Sequence, residues 1–356
     1  MNKRLSSKIS LFAGLLLDMM LVLTLVNNEN PIGYSKNALF RKNKPEKVLE
    51  LSGPLAWAGG NSYYNYYKGN IKKIQLNGNA IWEMTVDGEL LWMGPEGIIL
   101  KTGSTLYMLD EMGEPVFEKS DFLNDPRVLC VNNEYILLSG KINANEYAVL
   151  LSLSGDIMWQ LLIDGSVISG NVDGKGVYSI LNIIDKKAES NISLIGSKGQ
   201  IIWDKTYKDI VFQTRIVASG IGFIREDKTN FTDFQGKILW EHPFEGQVIR
   251  GDIGYDGYIS VVVRESAGHL SQDSRPKIIM FSSQGEEVCT YTLERDPKFV
   301  KKSDNYLYIV DDYGIMVLSQ EGLMVTNIEL NGVKELVLVE PGGIIAIQEN
   351  KSTLLK

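Results

Sequence analysis

The chain has 356 residues, 44 % hydrophobic and 22 % charged, with 34 glycines, 10 prolines, two cysteines and a formal net charge of −8. Such a length and composition support a large buried core without disulfide or metal staples and exclude a disordered chain. The acidity excludes a nucleic-acid-binding surface, because a phosphate backbone would repel it.

Lys3, Arg4 and Lys8 precede an apolar stretch, Ile9 to Val26, broken only by Asp18 and a few small or polar residues. As a helix this stretch spans roughly 27 Å, enough for a bilayer core. A cleaved secretory leader has a shorter apolar core of about 7–15 residues and a small-x-small cleavage site. Thr24-Leu25-Val26-Asn27 offers no such site, and no cysteine follows that could carry a lipid. The expectation is an uncleaved anchor. Basic residues cluster before it and the next one after it is Lys36, so the amino terminus is expected in the cytoplasm and everything after the span outside. A carboxylate at mid-span costs about 2.5–3.5 kcal/mol, which the surrounding Leu, Val, Ile and Phe residues offset. Asp18 reads either as a contact to a partner helix or as a protonated, tolerated side chain. Dropping Lys3, Arg4, Lys8 and Asp18, a net of +2, leaves the exported part at −10.

Beyond residue 30 the dominant feature is a repeat. Seven times a glycine stands four residues before the residue that ends an apolar run: Gly78 and Trp82, Gly113 and Phe117, Gly155 and Trp159, Gly199 and Trp203, Gly236 and Trp240, Gly285 and Cys289, Gly322 and Thr326. Successive glycines lie 35, 42, 44, 37, 49 and 37 residues apart, within the spacing of about 40–50 residues per propeller blade. Each marker reads as a hairpin in which glycine supplies positive φ and the large residue gives the outgoing strand something to bury. Between markers there is room for two more strands, such as Arg127–Val131 and Glu134–Ser139 around the Asn132-Asn133 turn. Four-stranded sheets that are apolar on both faces must stack on one another, and radial stacking closes the array.

After the seventh marker, Lys334–Val339 and Ile344–Ile347 read as further strands with no eighth glycine hairpin. The missing outermost strand is expected from the other terminus, at Asn37–Arg41, completing an eighth blade; seven blades plus an extra hairpin is the competing count. The expected organisation is a basic cytoplasmic segment at 1–8, a transmembrane anchor at 9–26, a linker at 27–37 and an all-β propeller at 38–356.

Tyr107-Met108-Leu109-Asp110-Glu111-Met112-Gly113-Glu114 and Asp233-Phe234-Gln235-Gly236-Lys237-Ile238-Leu239-Trp240 resemble the tryptophan-docking repeat of PQQ-like propellers, and the pattern recurs across residues 70–326. The whole chain also resembles an uncharacterised bacterial family of single-pass, membrane-anchored propellers. This repeat occurs in enzymes and in non-enzymatic scaffolds, so it implies a fold and no reaction. In its enzymatic members the resemblance implies a quinone cofactor over an aromatic ring, held with calcium by Glu, Asn and Asp side chains. No stretch of this chain supplies a recognisable set of that kind. A further resemblance, to the propeller subunit of the outer-membrane β-barrel assembly machine, implies envelope protein assembly; that subunit is lipid-anchored through an amino-terminal cysteine, which this chain lacks.

Residues able to carry chemistry are few. His242 and His269 have no second histidine or cysteine nearby, which argues against zinc. Asp252-Ile253-Gly254-Tyr255-Asp256-Gly257 and Asn171-Val172-Asp173-Gly174 resemble calcium loops but lack the third ligand position and the distal Glu, and read as ordinary turns. Ser274-Arg275-Pro276-Lys277, Ser303-Asp304-Asn305 and Lys101-Thr102-Gly103 match short signatures of penicillin-binding serine enzymes in the wrong order and without a helix, and are chance matches. Cys130 and Cys289 fall in different blades and are expected as buried thiols. Ser62-Tyr63-Tyr64-Asn65-Tyr66-Tyr67 is an aromatic run that either meets a partner or packs between blades.

No catalytic, cofactor-binding or metal-binding residue is expected. The expected function is a non-enzymatic, membrane-anchored extracytoplasmic scaffold in the cell envelope that binds a protein, a peptide or a cell-wall polymer. A quinone-dependent dehydrogenase and an envelope assembly factor are the alternatives.

Overall fold

A computed structural model of the protein describes residues 46–173, 176–184, 189–265, 275–303, 305–339 and 343–356. Every regular element among them is a β-strand, and the strands form eight four-stranded antiparallel sheets. Seven sheets take four consecutive strands in simple meander order: blade 1 over 55–85, blade 2 over 89–120, blade 3 over 124–163, blade 4 over 166–207, blade 5 over 211–243, blade 6 over 246–292 and blade 7 over 299–329. Blade 8 is assembled from both ends of the described chain. Glu335–Val339, Gly343–Ile347 and Lys351–Leu355 supply its first three strands, and Lys47–Ser52 pairs with Lys351–Leu355 as the fourth. Eight blades is therefore the correct count, closed by an amino-terminal strand.

The closing strand is not the one expected from sequence. Lys47–Ser52 occupies the outermost position, whereas Asn37–Arg41 lies outside the described residues. The physical reason is in the alternation. Val48 and Glu50 face outward while Leu49 and Leu51 pack against the core shared by blades 8 and 1, the same period-two pattern that the outermost strands of the other blades carry. The anchor expected at 9–26, with Asp18, and the linker at 27–37 also lie outside the described residues. Among the described residues no helix is long and apolar enough to cross a membrane.

First strands of successive blades contact one another around the axis, and fourth strands form the rim. Second and third strands are the most deeply buried, as in Ile136, Leu137 and Leu138 of blade 3 or Val261 and Val262 of blade 6. Each core cluster spans two neighbouring blades. Leu91, Trp92 and Met108 of blade 2 pack with Val131, Ile136 and Val149 of blade 3, and Leu55 and Tyr63 of blade 1 pack with Val337 and Leu354 of blade 8. That last contact shuts the ring.

Antiparallel neighbours run in opposite directions, so the connections within the first and last strand pairs of every blade share one face of the disc. This is called the turn face. The middle connections and the blade-to-blade segments share the other, the crossover face.

Candidate interaction surfaces

The glycine markers are the C-terminal pivots of the last hairpin in each of blades 1 to 7. Gly155 and Gly285 have φ of +86° and +85°, in the left-handed region that glycine enters without strain. The chain around them is locked by the residue that opens the turn: Asp110 Oδ1 accepts from the backbone N–H of Met112 and Glu114, and Asp233 Oδ1 from Gln235 and Lys237. Ser152, Ser282 and Ser319 play the same part with their hydroxyls. The glycine has a second task that sequence reasoning did not reach. It lies on the large residue of the preceding blade, so that a methyl group added at Gly155, Gly199 or Gly285 would sit 2.6, 2.7 or 2.6 Å from Phe117, Trp159 or Trp240. The indole N–H groups of Trp82, Trp203 and Trp240 donate to the backbone carbonyls of Glu111, Phe234 and Ser283 in that same turn of the next blade, at 3.1, 3.2 and 3.0 Å. Tryptophan and glycine thus form one inter-blade joint.

Near the axis, blades 5, 6 and 7 are joined by a buried polar network. Asp252 accepts from Gln213 Nε2 at 2.6 Å and from the Lys302 N–H at 2.7 Å, with the Arg215 guanidinium 3.9 Å away. The ammonium group of Lys302, a side chain with no exposed surface, meets Asp256 at 2.9 Å and lies over the Tyr258 ring. Arg215 stacks on Tyr255, 4.3 Å from its centroid. Each buried carboxylate therefore has a cationic or N–H partner, which is the condition for burying such charges at all. The turn expected over 252–257 is present, and its two aspartates are held by a lysine some fifty positions further on.

The other residues singled out in the sequence are placed as follows. His242 stacks on Phe281 at 4.6 Å and its Nε2 lies 2.6 Å from the Gly285 carbonyl oxygen, so it belongs to the joint between blades 5 and 6. His269, Gly174, Ser274 and Asp304 lie outside the described residues. Asn171 donates to the Thr214 carbonyl of blade 5, and Asp173 Oδ1 accepts from the Val177 N–H. Lys101, Lys277 and Ser303 are in blades 2, 6 and 7 and are not brought together. Cys130 and Cys289 are free thiols; burial pushes the first up to about 12, and burial raises the second as well. Tyr63 and Tyr64 are fully buried, Tyr66 is half-buried, and Tyr67 alone of the aromatic run is exposed, at the crossover face. Packing between blades explains that run.

A calcium-held quinone on the axis would need carboxylate and amide oxygens free to coordinate. Asp252 and Asp256 are engaged by Arg215, Lys302 and Gln213. Burial also drives the Glu335 carboxyl, at the start of the blade 8 inner strand, up to about 8, against the nearby charge of Lys301. Among the described residues, those near the axis do not fit the group.

No family model matches the chain, and no curated protein sequence matches it. Solved structures do. The chain is similar to BamB from Moraxella catarrhalis, with a TM-score of 0.60 and 12 % identity over 88 % of this chain and 100 % of that one. It is similar to a eukaryotic initiation factor, with a TM-score of 0.58 and 11 % identity over 85 % and 83 % of the two chains. It is also similar to Hsv2 from Kluyvelomyces marxianus, with a TM-score of 0.51 and 12 % identity over 78 % and 99 %. At such identities the likeness is one of fold, and with the repeated glycine joint it makes the chain a propeller repeat protein.

Proposed function

We propose that the protein is a non-enzymatic scaffold, tethered to the cell membrane through residues 9–26 and displaying its propeller outside the cytoplasm, where loops of the disc bind a protein, a peptide or a cell-wall polymer. The observation that supports a binding role is the engagement of Asp252, Asp256 and His242 in joints between blades. These groups hold the ring, while the connections on the two faces of the disc are exposed. A rigid ring presenting many short loops on two faces is suited to recognition by surface complementarity.

Photo-crosslinking tests this reading. Probes placed on each face of the full-length protein in its own membranes are expected to capture the same neighbour repeatedly from one face and not from the other. Recovery of nothing specific from either face would count against a scaffold. A calcium-dependent quinone absorption band in the purified protein would favour the dehydrogenase reading instead. Extraction at alkaline pH checks the anchor separately, since a spanning chain stays with the membrane.

A further inference from the structure

Exposed large apolar side chains are not scattered over this disc. Of those on the described surface, all but Tyr67, Leu162 and Tyr313 lie at the turn face, within the last hairpin turn of a blade or the first residues of its rim strand. The cause is local. In each of blades 1 to 7 the pairing of the third and fourth strands slips by one residue just after the glycine, and such a bulge turns two consecutive side chains outward instead of one. Both bulge positions are large and apolar in three successive blades: Ile157 and Met158, Ile201 and Ile202, Ile238 and Leu239, each between 45 and 53 % exposed.

Charge separates this arc from the rest of the rim. The hairpin turns of blades 3, 4 and 5 carry Asp156, Asp233, Lys198 and Lys237, two acids balanced by two lysines, whereas those of blades 2, 6 and 7 carry Asp110, Glu111, Glu114, Glu286 and Glu321 with no lysine or arginine. The apolar, lysine-bearing arc is centred on blade 4, and in a ring of eight, blade 4 is diametrically opposite blade 8. The chain enters the propeller at Glu46, at the start of the rim strand of blade 8, and that end of the strand is also at the turn face. The stem and the arc thus meet the same face at opposite sides. The 19 residues between Val26 and Glu46 reach at most about 65 Å when extended, at roughly 3.4 Å per residue, so the stem can hold blade 8 near the membrane or let it rise.

We infer that the turn face of blades 3 to 5 seats on the phospholipid surface of the membrane that holds the stem. Ile157, Met158, Ile201, Ile202, Ile238 and Leu239 enter the headgroup region, and Lys198 and Lys237 extend toward lipid phosphates. The glutamates of the other turns keep blades 2, 6 and 7 lifted from an anionic surface. The disc is then tilted, with its crossover face directed away from the bilayer toward a partner. Tethering raises the local lipid concentration, so even a weak surface affinity suffices.

This inference rests on the anchor reading, and one experiment separates the two. The full-length chain is reconstituted into vesicles of phosphatidylethanolamine and phosphatidylglycerol, with an environment-sensitive fluorophore on Ile202→Cys or Leu239→Cys. Tyr313→Cys on the crossover face and Leu323→Cys on the acidic arc serve as comparisons, and the unsubstituted chain, with Cys130 buried and Cys289 under Gly322, is the blank. Lipid-borne quenchers are expected to reduce emission at positions 202 and 239 and leave 313 and 323 unchanged. The pair K198E and K237E, at exposed turn positions, is expected to weaken that quenching. A chain that fails to float with the vesicles overturns the anchor and this inference together. One that floats with all four positions equally unquenched overturns the inference alone. Shielding at 202 that grows with protein density, without lipid quenching, assigns the arc to contacts between copies of the chain and likewise overturns it.

Discussion

At Gly285 two constraints meet in one residue. Its φ of +85° is costly for any side chain, and a methyl group there would press on the Trp240 ring at 2.6 to 2.9 Å. Gly103 has a φ of +59° with nothing within 4 Å of an added methyl group, so it carries the first constraint without the second. Gly103→Ala is expected to cost about 1 kcal/mol and Gly285→Ala about 2–3 kcal/mol, because only the second must also displace an indole. Denaturant midpoints of the two variants check this. Equal losses would mean that the ring yields and that the joint is looser than drawn. A different residue-scale effect belongs to Glu335. Its carboxyl loses its proton near 4.5 in the unfolded chain and at about 8 in the folded one, because burial penalises the charged form. The contribution of this group to stability is therefore fully present below about 4.5 and is lost as pH rises through about 8. Glu335→Gln keeps the neutral shape at every pH. The difference in melting temperature between the wild-type protein and the variant is expected to open as pH rises from 5 to 9, with the variant the more stable at the alkaline end.

At the scale of the element, the rim strands explain both what could be read from the sequence and what could not. Glycine at positive φ followed by a large residue is a local signal, and it located the last hairpin of blades 1 to 7. The Asn132-Asn133 turn and the strands on either side were legible for the same reason, since a period-two apolar pattern bounded by turn residues is local too. Lys47–Ser52 was not legible as the closing strand because its partner, Lys351–Leu355, is about three hundred positions away and no turn joins them. The inter-blade joints were illegible for a related reason: Trp240 and Gly285 each look complete within their own hairpin, and nothing local says that one covers the other. The network of Asp252, Asp256 and Lys302 is likewise a contact at long sequence range. The closing strand itself makes a testable prediction. Leu49 and Leu51 fill the core between blades 8 and 1, and Glu50 is held by Lys47 and Lys351 at 2.6 and 3.0 Å, which depresses its pKa to about 2. A chain beginning at Glu46 is expected to melt with the same midpoint as one beginning at Asn27, after the expected anchor. One beginning at Pro54 leaves an open sheet edge and two bare leucine sites, and is expected to aggregate or to melt well below it. Thermal denaturation with light scattering reads both outcomes.

At the scale of the whole molecule, the ring has no structurally privileged beginning. The two described ends face each other as a hairpin without its loop: Glu46 N–H donates to the Lys356 carbonyl at 2.8 Å, and Lys356 N–H donates back to the Glu46 carbonyl at 3.1 Å. In blades 1 to 7 the corresponding position is the glycine turn, so the missing eighth marker coincides with the break between Lys356 and Glu46, and the strand pairing on either side of it is kept. Joining Lys356 to Glu46 through a short glycine-containing turn, and opening the chain between Asp164 and Gly165 on the crossover face, moves the break from within a blade to between two blades. Every strand pair and every core contact is retained, and the closing strand becomes covalently continuous with its neighbour, which lowers the entropy lost on forming blade 8. This permutant is expected to fold to the same β-rich circular dichroism spectrum and to melt at or above the temperature of the chain that begins at Glu46. Folding to a less stable or molten form would show that blade 8 contributes more than closure. The two-terminus strand pair would then be a step on which assembly of the other seven blades depends.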